Sequence, residues 1–179
     1  TTRLVGSEMC IRDSYYNLPY IDSSRIGIAG YSKGGGNVVR VMTDYGEEQR
    51  NSPETYEKKV SAALILAPPY SPLDDLATGI NLGFGAGLYD PYSRLGFKDV
   101  PGYWPGDLSV KTEMKEVVNL GVPGTFSEED LLDPNVKVEI GHVYGSYEEN
   151  NGRVIYNPED STHGSGMISS AFIRDTVTF

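Results

Sequence analysis

Residues 30–34 read Gly-Tyr-Ser-Lys-Gly and set Ser32 inside a glycine frame, between a short apolar run (Ile26, Ile28, Ala29) and a helix-like segment from Gly34. A serine becomes a nucleophile when its Oγ is exposed and a neighbouring base takes its proton. A strand that reverses into a helix within a few residues meets the first condition, because it holds the serine in a strained backbone conformation with Oγ projecting from the sheet. In so tight a turn, side chains two positions either side of Ser32 would collide, which explains Gly30 and Gly34. Gly35 and Gly36 let the helix start press against its neighbours. The Lys33 N–H then faces the place where a substrate oxyanion would form. These glycines do not make a nucleotide site. A phosphate-binding loop needs Gly-Lys-Ser/Thr, whereas Lys33 follows Ser32, and a dinucleotide turn needs a third glycine where Val39 stands.

A base is the second requirement, and the chain offers two histidines. His142 lies in the alternating pattern of residues 135–144 and reads as structural, pointing to one sheet face. His163 lies in a loop between Thr162 and Gly164.

The elements that must position these groups are legible in part. Residues 26–30 read as a strand and 34–45 as the helix after it, with Val38, Val39, Val41 and Met42 apolar. Residues 60–67, VSAALILA, are the near-continuous apolar run of a strand buried on both faces, stopped by Pro68-Pro69. Residues 135–144 alternate and read as a third strand, and 153–156 as a fourth. Between the second and third of these strands, 70–133 are dense in glycine, proline and aromatics, with short helices expected at 73–80, 109–120 and 127–132; Ser127 followed by Glu129 and Asp130 is a helix start. The segment THGSGMISSAFI carries a helical apolar pattern at Met167, Ile168, Ala171 and Phe172.

From Leu18 to Gly35, LPYIDSSRIGIAGYSKGG resembles the α/β-hydrolase superfamily, in particular bacterial esterases and dienelactone-hydrolase-like proteins. Those chains end a helix at an LP-[VI]-D phrase, turn through polar residues and an arginine, and run up a strand to G-x-S-x-G-G. The resemblance implies an α/β fold with a mostly parallel sheet of about four strands, flanking helices and a cap inserted at 70–133. Within that cap, Tyr89, Tyr92, Phe97, Tyr103 and Trp104 would line the substrate pocket or form the cap's own small core. It also implies Ser32 as nucleophile, His163 as base, and Lys33, Tyr31 and Trp104 at the oxyanion and substrate. The family commonly shows G-x-x-D before its last strand, and Gly145-Ser-Tyr-Glu148 fills that frame, making Glu148 the expected acid. Glu149, Asp160, Asp74 and Asp75 remain alternatives.

Composition bounds the partners. A chain of 179 residues with 39% hydrophobic content suits one globular domain. Fifteen basic against 25 acidic residues give a net charge of −10, which opposes nucleic-acid binding. No apolar run approaches the ~18 residues of a membrane span. Cys10 is the single cysteine, so neither a disulfide framework nor a Cys-rich metal site is expected. Acyl transfer at a serine needs neither metal nor cofactor, and the expected partner is a small-molecule ester.

Residues 1–13, TTRLVGSEMCIRD, resemble a translated sequencing-adapter junction of the kind found in reading frames assembled from environmental reads. Residues 14–179 resemble the C-terminal part of an α/β-hydrolase domain. The expectation is a serine hydrolase of esterase, lipase or deacylase type, whose other oxyanion donor lies upstream, so that this chain alone shows little activity. The alternatives are a prolyl-oligopeptidase-like peptidase and a non-catalytic binding protein of the same fold.

Overall fold

The computed structural model describes residues 18–69, 72–92, 97–166, 169–170, 173–174 and 179. The adapter-like segment with Cys10, and Met167, Ile168, Ala171 and Phe172 of the C-terminal apolar pattern, lie outside these residues.

Five strands form one sheet: β1 (Gly27–Tyr31), β2 (Ala62–Leu66), β3 (Asn81–Gly85), β4 (Val143–Tyr144) and β5 (Arg153–Tyr156). Their order is β1-β2-β3-β5-β4, with every pair parallel except β4 against β5. The fold is therefore α/β with a mostly parallel sheet. One register row runs Tyr31, Leu66, Gly85, Tyr156, so the four parallel strands end level with one another.

Helix α1 (Lys33–Asn51) follows β1 and buries Gly35, Val38, Val39, Met42, Tyr45 and Gly46. That spacing is one stripe of a 3.6-residue period, and each fully buried Val or Met contributes about 1.5–3 kcal/mol. The helix extends through Gly46 beyond the expected 45, with Gly46 packed against the backbone of residues 75–77, and it ends before Ser52, the residue preceding Pro53, where helix is disfavoured. Helices α2 (Thr112–Gly121) and α3 (Glu128–Leu132) follow β3. Ser127 caps α3 as expected, in a reciprocal capping box with Asp130. Ala63, Ile65, Leu82, Phe84 and Ile155 meet Val38, Val39 and Met42 of α1 and Met114, Val117 and Val118 of α2 in one core. On the opposite face, Leu64 and Leu66 gather Tyr31 and Phe179. No helix among the described residues is long and apolar enough to cross a membrane.

Three expectations about elements are corrected. Residues 81–85 are not part of a cap: as β3 they lie between β2 and β5. Their sequence, NLGFG, lacks β-branched residues, and two glycines hide the strand signal. Residues 73–80 are turns rather than a helix, although Leu73, Leu76, Ala77 and Ile80 are buried at helical spacing. They dock on α1, where Ala77 N–H donates to the Met42 carbonyl (3.0 Å), and Gly79 at φ +69° closes the turn. Of 135–144 only Val143 and Tyr144 pair as strand. Gly141 at φ +78° breaks the alternation.

Candidate active site

Ser32 occupies the position before the first residue of α1, with φ 54° and ψ −121°. For a residue with a Cβ that conformation costs about 1–3 kcal/mol and persists only where its surroundings enforce it. Here they do: Ser32 N–H donates to the Leu66 carbonyl (2.9 Å) and Gly36 N–H to the Ser32 carbonyl (3.0 Å). A serine at this position commonly turns its hydroxyl onto the helix's own first amides. Ser32 makes no such cap. Its Oγ lies instead 2.8 Å from His163 Nε2.

The glycines around it do not all serve as expected. A Cβ at Gly30 would fall on the Gly34 carbonyl, and one at Gly35 would lie 2.5 Å from the Leu66 carbonyl. A Cβ at Gly34 would meet nothing within 4 Å. Helix α1 begins at Lys33, so Gly34 already points off the helix, and the turn requires glycine at 30 and 35.

His163 lies in the loop after β5, with its side chain 20% exposed, and its Nδ1 is 2.8 Å from Oδ2 of Asp90. A carboxylate accepts, so Nδ1 carries the proton and Nε2 is left to accept from Ser32. Asp90 is buried, its side chain 1% exposed, in the loop after β3. Its other oxygen, Oδ1, accepts the Tyr92 N–H (2.9 Å). Bonds between backbones hold the loops of Asp90 and His163 together: Leu88 N–H to the Pro158 carbonyl (3.0 Å) and Tyr89 N–H to the Ser161 carbonyl (3.1 Å). Buried Asn157 ties in a third segment, accepting from Leu108 N–H and donating to the Ala86 and Gly106 carbonyls. Ser32, Asp90 and His163 thus stand beyond the carboxyl ends of β1, β3 and β5, the end at which open parallel sheets place their sites.

The acid partner differs from the sequence expectation. Glu148 is exposed and accepts from Ser146 Oγ (2.7 Å), a bond that lowers its carboxyl pKa. It follows β4, the antiparallel strand, rather than the end of a parallel one. Glu149 accepts from Asn151 and Asp160 from Ser169, while Asp75 pairs with Arg50. Asp74 lies in the same docking turn as Asp75. The signal for Asp90 was in the sequence: Gly87-Leu-Tyr-Asp90 is itself a G-x-x-D frame. The frame is hidden in the sequence because NLGFG before it, rich in glycine, does not carry a strand pattern. His142 packs edge-on against Tyr144 (4.7 Å between ring centres) and faces Glu139.

Of the expected substrate contacts, Lys33 supplies the first amide of α1, beside Ser32. Trp104 is half exposed, donates to the Leu88 carbonyl (2.8 Å) and stacks edge-on with Tyr89. It lines a cavity of about 590 Å³ with Leu88, Asp107, Ile140 and Asn157, which does not reach Ser32 or His163. The aromatic groups at the imidazole are Tyr92 (4.9 Å) and Tyr31 (5.5 Å). Phe97 is core, edge-on to Phe84, and Tyr103 bonds Asn135.

A hydroxyl bonded to an imidazole that is oriented by a buried carboxylate can lose its proton as it attacks an electrophilic carbon. No family model, curated protein or solved structure matches the chain at a significant level.

Proposed function

We propose that the protein is a serine hydrolase acting on a carboxylic ester through an acyl-enzyme. The observation that carries this reading is the continuous chain Ser32 Oγ, His163 Nε2, His163 Nδ1, Asp90 Oδ2, with 2.8 Å at both links. In this reading Ser32 Oγ attacks the ester carbonyl while His163 Nε2 takes its proton. The tetrahedral oxyanion faces the Lys33 N–H at the positive end of α1, and one such donor is worth about 2.7–4 kcal/mol. His163 returns the proton to the departing alcohol, leaving the acyl group on Ser32. Water, deprotonated by the same nitrogen, then releases the acid and restores the serine. Asp90 holds the imidazole in the tautomer that can accept and stabilises its charged form. Asp90 at His163 Nδ1 supports the catalytic reading over a non-catalytic binding protein.

The test is covalent. A fluorophosphonate probe should label the complete natural protein at one site, identified as Ser32 by peptide mass, and Ser32→Ala should abolish labelling without changing the circular dichroism spectrum. Complete, folded protein that stays unlabelled, or labelling that survives in Ser32→Ala, sinks the reading.

A further inference from the structure

The residue before the serine reaches the other half of the site. Tyr31 closes β1, and its phenol hydroxyl donates to the backbone carbonyl of His163. Its ring lies 5.5 Å from the imidazole, tilted by 39°. The loop it grips is folded on itself: Gly166 N–H donates to the Thr162 carbonyl (2.9 Å), Ser165 N–H to Thr162 Oγ1 (3.2 Å), and Thr162 N–H to Ser165 Oγ (2.9 Å). Gly166 is packed so closely on the phenol that a Cβ there would lie 2.5 Å from the Tyr31 hydroxyl. Burial, and then the charge of Asp90, raise the Tyr31 pKa, which keeps the hydroxyl a donor.

We infer that Tyr31 is a positioning residue: by binding the histidine's own backbone it joins the base loop to the serine turn and fixes Nε2 at bonding distance from Oγ. The inference rests on Ser32 and His163 acting as nucleophile and base. Two dihedrals separate the imidazole from its backbone. Asp90 restrains the ring orientation from one side, and Tyr31 restrains the backbone from which those dihedrals start. Without the phenol hydroxyl the loop keeps its internal bonds but loses this tie to β1. Displacements of about 1 Å at a reacting pair cost up to about 100-fold in rate.

The experiment is fluorophosphonate labelling of the full chain, analysed as a maximal inactivation rate and a half-saturating probe concentration. Tyr31→Phe should lower the maximal rate about tenfold, leave half-saturation unchanged, and hasten solvent exchange of the His163 Nδ1 proton observed by NMR. Gly166→Ala, which crowds the hydroxyl from the loop side, should do the same and serves if Tyr31→Phe fails to fold. The double variant should be no slower than either single one, because the clash with the hydroxyl is gone and both changes remove one contact. Wild-type rates in both single variants, or fully additive losses, overturn the inference while leaving the hydrolase reading intact. Labelling that persists in Ser32→Ala overturns both.

Discussion

β1 and β3 each deliver one member of the same hydrogen-bonded chain, yet they hold it in different ways. β1 pairs only with β2 among the described residues, and its own five positions are exposed or half-buried. β3 is flanked by β2 and β5 and is buried from Leu82 to Gly85. The geometry of Ser32 is stored mostly locally, in a positive φ that the missing Cβ of Gly30 permits beside the Gly34 carbonyl and that Gly36 N–H closes on the Ser32 carbonyl, with one bond at long range, from Ser32 N–H to Leu66. That of Asp90 is stored at long range, in bonds from its loop to Pro158 and Ser161 and in Asn157 between β3 and β5. A strained turn can be encoded largely within a few residues; a buried carboxylate in an ordinary loop, though held locally by the Tyr92 N–H, also needs segments distant in sequence to bring it to its partner.

The sharpest way to break this comparison is to exchange the acids. Asp90→Asn should slow fluorophosphonate labelling by about 10³–10⁴-fold, because the amide favours the wrong imidazole tautomer. Glu148→Gln should leave it unchanged. The reverse pattern would return the acid's role to Glu148.

Next comes the turn. Gly30→Val drives a side chain into the backbone of Gly34 and should destabilise the fold by about 3 kcal/mol or more, read as a lowered urea midpoint. A midpoint equal to wild type would show that the local constraint is not one.

The long-range constraint is probed at Gly87, where a Cβ would fall on the Ser161 carbonyl. Gly87→Ala should push the two loops apart, slowing labelling about 10–100-fold with a smaller loss of stability than Gly30→Val. Equal losses of stability would make the two constraints alike.

The smallest effect is the most discriminating for the glycine frame. Gly34→Ala, with open space at its Cβ and a helical position, should be neutral or stabilising by up to ~1 kcal/mol by thermal melting. Marked destabilisation would restore the expectation that Gly34 is sterically required.

By itself the sequence determined the strand-turn-helix around Ser32, the buried run of β2, the strand at 153–156 and the loop carrying His163. Each of these rests on short-range chemistry: β-branched or apolar runs, breakers, and glycines within two residues of a strained serine. Tertiary structure alone decided the rest. β3 is a strand because β2 and β5 supply its ladder on both sides, which overrides a sequence of two glycines with no β-branched residue. Leu73, Leu76, Ala77 and Ile80 keep helical spacing but dock as turns, because Gly46 of α1 admits their backbone at close range. Asp90 rather than Glu148 meets His163 because the level ends of β3 and β5 put their loops side by side; strand order and register alone decide between the G-x-x-D frame at 87–90 and the G-x-x-E frame at 145–148.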